Sequence, residues 1–239
     1  VAARYTLART LIGTRDPRKV PLGVELLGQI AGAERVAPAE QAVHEKALAD
    51  LGDQYLQAKN FGEAEARLRL QLRLYPAGDE ATKSRLLLGT VLLQKVPHRK
   101  GEEPPAEEKR VAEEALDHLR QVMTDVDTRK AAGRAQPADP WLRTQAGLRV
   151  LRALVLLNRP QDVAVVADLV RPATAGTVEE LLVLSMKYHA AEAARNANEQ
   201  NAVKAEIRRV FDQLKDRPGA FPAQAGEYSR GYWEDHWLN

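Results

Sequence analysis

The sequence contains no cysteine, few aromatic residues and no long apolar run. The lack of cysteine excludes disulfides, thiolate metal sites and cysteine nucleophiles, and it leaves the redox compartment undetermined. Aromatic residues make up 5% of the chain, and runs of the β-branched residues that favour strands are scarce. No apolar stretch approaches the roughly 18 residues that a membrane-spanning helix needs. This alanine- and leucine-rich composition is typical of helices that pack closely through small side chains.

Charges of both signs are interspersed along the chain. Charged residues make up 28% of the sequence, yet the net charge is only +2, so no basic stripe for nucleic acid is predicted. The chain begins Val-Ala-Ala-Arg, with no methionine and no signal peptide. We expect a soluble protein of undetermined compartment that is a segment of a longer chain or complex, with a mature form or a processed product as the alternatives.

Sequence patterns of catalytic and cofactor sites are missing. The five histidines are scattered, and none belongs to an HxxxH or HExxH pattern that would place two metal ligands on one helix face. Glycine-rich phosphate loops and the GxSxG nucleophile motif are absent. We therefore expect no enzymatic activity, no cofactor and no metal site, with an enzyme of unrecognised type as the minor alternative.

The most informative stretch is Leu48–Pro76, LADLGDQYLQAKNFGEAEARLRLQLRLYP. Apolar residues recur there at helical spacing in two blocks, which Lys59 and Asn60 separate. The second block ends at Pro76, because proline has no N–H to continue a helix. Gly52 and Ala64 are predicted to lie where the two helices cross, since only small residues let two backbones approach closely. The apolar positions are Leu48, Leu51, Tyr55, Leu56, Phe61, Ala64, Leu68 and Leu72.

These residues resemble the tetratricopeptide repeat, a helix–turn–helix unit of about 34 residues. The matching positions are Leu48, Leu51, Gly52, Tyr55, Phe61, Ala64, Leu68 and Pro76. The sequence departs from the family at Leu48, where tryptophan is common, and at Gln71, where a small residue is usual. The resemblance implies an all-α fold, an α-solenoid of antiparallel helix hairpins.

About five such hairpins are predicted, mainly by their phase relative to this one. Residues 1–218 are expected to form the helical repeat domain. The third hairpin is interrupted by a charged surface loop at residues 98–109, and its second helix is expected to end at Met123, before a polar connector. After that connector, Asp139 is expected to cap a helix whose apolar face includes Trp141.

The resemblance also implies a concave surface, lined by the first helix of each pair, that binds a protein or peptide. The groove residues carried over are Lys46, Asp53, Gln57, Lys83, Thr90, Gln94 and Arg152. The three cations Lys46, Lys83 and Arg152 would make one wall basic, which suits an acidic peptide or a C-terminal carboxylate. The paired Lys and Asn of the family's carboxylate clamp are not reproduced, and ordinary exposed helix residues are the alternative interpretation.

The tail, residues 219–239, holds five of the twelve aromatic residues (three Phe, six Tyr and three Trp in all). One interpretation is that it folds back and seals the end of the repeat array. The other is a docking motif with Tyr228, Tyr232, Trp233 and Trp237 as anchors. We expect a non-catalytic protein-interaction module or assembly scaffold whose partner the sequence does not identify. An architectural segment of a larger protein or complex is the alternative.

Overall fold

The computed structural model describes residues 1–33, 35–97, 104–221 and 228–238. Within these ranges every regular element is helical, so the predicted all-α class is confirmed. The α-helices are α1 (Ala2–Gly13), α2 (Val20–Ala31), α3 (Gln41–Gln57), α4 (Phe61–Leu74), α5 (Ala81–Gln94), α6 (Ala106–Ala131), α7 (Asp139–Leu156), α8 (Pro160–Thr174), α9 (Val178–Ala193), α10 (Ala197–Leu214) and α11 (Arg230–Trp233). A 3₁₀ turn precedes α3, and a π-helical turn, Glu234–Leu238, follows α11.

Residues 98–103 of the predicted charged loop lie outside the described residues. No helix in the described part of the chain has the length and apolar character needed to cross a membrane.

Two compact units make up the chain, Val1–Lys95 and Val96–Asn239. In the first unit, consecutive helices from α1 through α5 pack against one another, and α3 also contacts both α1 and α5. In the second unit, α6 to α10 pack in the same sequential way, and α7 also contacts α9. The two helices predicted to form the third hairpin, α5 and α6, fall in different units. Packing between sequence neighbours is thus repeat-like within each unit.

The same turn joins three of the helix pairs. After α3, Lys59 adopts a left-handed φ of 57°, and the N–H of Asn60 donates to the Tyr55 carbonyl at 2.8 Å. Asn158 after α7 and Arg195 after α9 have φ values of 51° and 54°, and each is followed by an equivalent bond of 2.9 Å. This pattern is the Schellman motif that ends many helices. It reverses the chain locally, so α3–α4, α7–α8 and α9–α10 form hairpins.

Paired helices meet at glycines that leave no room for a side chain. An ideal Cβ atom on Gly52 of α3 would lie 2.7 Å from Cγ of Leu68 on α4. On Gly147 of α7, a Cβ would lie 2.5 Å from Cγ2 of Val170 on α8. The predicted close crossing at Gly52 is therefore present, and the nearest side chain across the pair is Leu68.

The end of α6 and the start of α7 differ from the prediction. α6 continues past Met123 to Ala131, because Val126 extends its buried apolar face. The Asp139 side chain does not cap α7. Its carboxylate instead accepts hydrogen bonds from Arg129 Nη2 at 2.5 Å and from the Gln136 N–H at 2.9 Å. Trp141, predicted on the apolar face, is 58% exposed.

Buried carboxylates hold the connectors between successive helix pairs. Glu45 of α3 accepts from the Glu80 N–H at 2.8 Å, just before α5. Glu180 of α9 accepts from the Gly176 N–H at 2.8 Å, in the connector that precedes α9. Asp139 holds the connector before α7 in the same manner. Each carboxylate satisfies a backbone donor that a helix pair leaves without an intrahelical partner.

Replacing Gly52 by alanine tests the close crossing of α3 and α4. We expect Gly52→Ala to lower the free energy of unfolding by about 1–3 kcal/mol, because the new methyl group displaces the buried Leu68. Gly28→Ala, in mid-helix of α2 with nothing within 4 Å of the added Cβ, is the matched control, and it should stabilise by about 0.5–1 kcal/mol. Urea unfolding measures both. Equal gains in the two variants would contradict the crossing.

Candidate functional site

The polar side of α3 carries the first group of predicted groove residues. Lys46, Asp50, Asp53 and Gln57 follow one another at spacings of three or four residues, so they lie on one face of the helix. Lys46 and Gln57 are exposed and Asp53 is half-buried. Asp50, which the sequence interpretation missed, lies among them and is only 8% exposed.

The second group lies on α5 and is joined to α3 by an ion pair. Lys83 Nζ donates to Asp50 Oδ1 at 3.0 Å. The Thr90 hydroxyl donates to the Leu86 carbonyl of its own helix at 2.8 Å, and Gln94 is exposed. The α3 and α5 residues therefore share one surface, but Lys83 is not the uncompensated cation that the basic-wall prediction assumed.

α1 reaches the same carboxylate from the other side. The Tyr5 hydroxyl donates to Asp50 Oδ2 at 2.8 Å, and Arg9 Nη1 lies 3.0 Å from that oxygen. The Asp50 cluster consists of Tyr5, Arg9, Asp50 and Lys83. It links the first, third and fifth helices through a single side chain, and its only local sequence signal is the i, i+4 spacing of Tyr5 and Arg9.

The electrostatics of the cluster keep Asp50 ionised and Tyr5 protonated. Burial alone would raise the pKa of Asp50, but the charge of Lys83, the hydrogen bonds from Tyr5 and Lys83, and the charge of Arg9 together hold it below its ordinary value. Burial, reinforced by the hydrogen bond to Asp50, raises the pKa of Tyr5 to about 12. The cluster thus has two cations, one carboxylate and one neutral phenol at neutral pH.

Glu80, at the start of α5, lies beside this cluster. Burial raises its pKa; Lys83 acts in the opposite direction, and the carboxylates of Asp50 and Glu45 raise it further. Lys46 is close enough to lower the pKa again. The exposed Lys46 ammonium therefore faces a region that already contains several carboxylates.

Arg152 is the only predicted groove residue in the second unit. It is exposed on α7. The structure thus gathers the other six predicted groove residues on α3 and α5 of the first unit and places Arg152 outside it.

The aromatic tail packs onto α9 and α10 in the second unit. Trp233 has no exposed surface and Trp237 is 7% exposed, and both belong to the apolar cluster of those two helices. Trp237 contacts the ring of Tyr188 edge-to-face, with centroids 5.1 Å apart. Tyr228 and Tyr232 are partly buried against the same cluster. Both indoles are therefore occupied by contacts within the chain and are not presented to a partner in this arrangement.

The Asp50 cluster predicts a characteristic pH dependence. Because the folded state raises the pKa of Tyr5 above its ordinary 10.0 to about 12, its stabilising contribution is complete below pH 10 and is lost as the pH rises through about 12. Tyr5→Phe should lower the free energy of unfolding by about 1 kcal/mol at pH 8. The difference from wild type should shrink between pH 10 and 12. Urea unfolding at several pH values measures this, and a constant difference would contradict the assignment.

The tail should contribute strongly to the stability of the second unit. Trp233→Ala removes a fully buried indole, which costs about 3–5 kcal/mol and should lower the melting temperature by roughly ten degrees. Trp141→Ala is the matched control, because its exposed ring should change stability by no more than about 0.5 kcal/mol. Circular dichroism during heating measures both variants. Unchanged melting of Trp233→Ala would show that the tail does not seal α9 and α10.

A comparison of the sequence with models of known protein families finds no match, and a comparison with curated proteins finds no matching relative. The resemblance to the tetratricopeptide repeat therefore rests on the residues of Leu48–Pro76. The candidate binding surface of the first unit is the face of α1, α3 and α5 around the Asp50 cluster.

Proposed function

We propose that this chain is a protein-interaction module built from tetratricopeptide-like hairpins, and that its first unit binds an extended segment of a partner protein across α1, α3 and α5. One observation carries the proposal. The bonds of the Asp50 cluster hold the polar sides of α1, α3 and α5 together. In the chain these three helices alternate with α2 and α4, which pack against them. In a helical solenoid, this is the arrangement that creates a continuous binding surface from the first helix of each pair.

The exposed groups on this surface suit the backbone of an extended peptide. Gln57 and Gln94 offer both donors and acceptors through their amides, and Lys46 offers an ammonium. Such side chains can bond peptide N–H and C=O groups in any sequence, so they fix the position of a segment while pockets select its side chains.

An exposed cation of the Asp50 cluster, Arg9, can accept an acidic group of the partner. Within the Asp50 cluster, Arg9 and Lys83 supply two positive charges against the one negative charge of Asp50. The Arg9 side chain is 58% exposed, so it can pair with a second carboxylate without leaving the first. An acidic side chain or a terminal carboxylate of the partner is the natural ligand for the exposed Arg9 guanidinium.

The cluster also orders the surface before binding. Asp50 fixes Tyr5, Arg9 and Lys83 on three helices, so their rotamer freedom is already reduced in the free protein. A pre-ordered surface loses less entropy when the partner binds.

A triple variant, Lys46→Glu with Gln57→Ala and Gln94→Ala, tests the function. Immobilised wild-type chain is used to isolate a partner from the source organism, and the affinity of each variant for that partner is then measured by calorimetry. We expect the triple variant to bind about tenfold more weakly or worse. Arg73→Glu, an exposed charge reversal on α4, is the matched control and should bind as wild type.

Two outcomes would contradict the proposal. If the triple variant binds like wild type, the face of α1, α3 and α5 is not the binding surface. If Arg73→Glu abolishes binding while the triple variant does not, the outer helices form the contact, which favours the architectural alternative in which the unit packs permanently against a neighbour.

A further inference from the structure

A pocket of about 940 Å³ opens in the second unit, where the C-terminal ends of α6 and α8 meet the N-terminal ends of α7 and α9. Its lining includes Lys130, Asp139, Trp141, Arg143, Gln145 and Glu179. The pocket shares no residue with the Asp50 cluster. Its size is within the range of about 300–1,000 Å³ that is typical of ligand-binding clefts.

The walls of the pocket are fixed by hydrogen bonds within the unit. Arg143 Nε donates to Asp127 Oδ1 at 2.8 Å, across α7 and α6. Gln145 Oε1 accepts from Arg149 Nη1 at 2.7 Å. Asp139, only 2% exposed, holds the connector that borders the pocket. A ligand would therefore meet a preformed site, in which most polar groups are already oriented.

Trp141 is the main apolar feature of the lining and is 58% exposed. The other two tryptophans of the chain, Trp233 and Trp237, are buried in the apolar core of this unit. An indole left largely in water beside a preformed pocket is the kind of side chain that anchors a partner, because it offers a large rigid surface at little entropic cost.

Two further residues of the lining carry opposite charges. Lys130 lies in the last turn of α6 and Glu179 in the first turn of α9. Both line the pocket, and neither side chain forms an ion pair or hydrogen bond with another residue in the described part of this unit. The remaining charges of the lining, Asp127, Asp139 and Arg143, are paired, Asp127 with Arg143 and Asp139 with Arg129. Lys130 on α6 and Glu179 on α9 are therefore the two lining charges that are available to a ligand.

The spacing of the helices sets the length of a matching ligand. α6 and α9 both pack on α7, and packed helix axes lie roughly 8–10 Å apart. The axes of α6 and α9 are thus at most roughly 16–20 Å apart, which an extended chain of about five or six residues can span. An extended peptide is favoured over nucleic acid because a phosphate backbone would be repelled by Glu179.

We propose that this pocket binds an extended peptide segment of a partner protein, with an apolar side chain on Trp141, an acidic residue paired with Lys130 and a basic residue paired with Glu179. For a segment that binds in one N-to-C direction, exchanging its acidic and basic residues would place like charges together at both ends. The site is distinct from the face proposed for the first unit.

The probes for this pocket are fluorescein-labelled synthetic peptides with a six-residue core. Each core has Glu at one end, Arg at the other and Leu, Pro or Phe near its centre, with Gly and Ser elsewhere, and each is made in both orders of the charges. Fluorescence anisotropy with the full chain should show that one order binds at least about tenfold more tightly than the other. Trp141→Ala should weaken that binding about tenfold or more.

A charge exchange in the protein gives the decisive comparison. The double variant Lys130→Glu with Glu179→Lys should reverse the preference between the two peptide orders. Arg208→Glu, an exposed charge reversal on α10, should leave the preference unchanged. The first-unit variant Lys46→Glu with Gln57→Ala and Gln94→Ala should also bind these peptides as wild type, so failure of the first-unit function is distinguishable from failure here.

The proposal is overturned if no peptide of either order binds the wild-type chain, or if the charge exchange leaves the preference as it was. Equal affinity of Trp141→Ala and wild type would overturn the role of the indole. Circular dichroism of each variant before titration ensures that a loss of binding is compared between folded proteins.

Discussion

The close approach of paired helices at glycine is the constraint on which the other features depend. It occurs at Gly52 and Gly147, and also in the first pair, where a Cβ on Gly23 would lie 2.8 Å from the backbone oxygen of Ala8. At such short distances the rotation and register of each helix are fixed by the shape of its neighbour. The polar side of the helix is fixed with them. Asp50, two positions before Gly52, and Gln145, two before Gly147, are therefore held in place by packing that contains no charge.

Single carboxylates have two different roles among these packed helices. Glu45, Asp139 and Glu180 are almost fully buried, and each binds a backbone N–H in a connector. They keep successive pairs in register. Asp50 instead binds side chains from α1 and α5 and leaves Arg9 at the surface. Burying Glu45, Asp139 and Glu180 costs desolvation free energy but orders the connectors. The Asp50 cluster instead leaves the charge of Arg9 available to a partner.

Local pattern was sufficient to predict the helices and several of their turns. Apolar spacing gave α3 and α4, because the signals for start, turn and stop all lie within Leu48–Pro76. Apolar spacing did not predict the end of α6, because the residues after Met123 are mostly polar although Val126 among them is buried. It also failed for Trp141, because periodicity places a side chain on a face but does not say whether that face is covered at the end of a helix.

The candidate surfaces were less predictable than the fold. Helical phase was sufficient to place six of the predicted groove residues on α3 and α5, and their binding role stays a prediction. The Asp50 cluster could not be predicted in this way, since its bonds join residues 33, 41 and 45 positions apart. The pocket was even less predictable from the sequence, because it exists only where the ends of four helices converge. Neither its volume nor the flanking charges on Lys130 and Glu179 leave a signal in any one segment.

The recurring turn of the hairpins has a consequence for the order of events during folding. Its hydrogen bonds join residues no more than five positions apart, so α7–α8 and α9–α10 can each close with little loss of chain entropy. Proteins dominated by such local contacts fold quickly, and repeat-like arrays can begin to fold at more than one place. We therefore expect two local starting points for folding in the second unit, so that damage to one hairpin leaves the other able to nucleate.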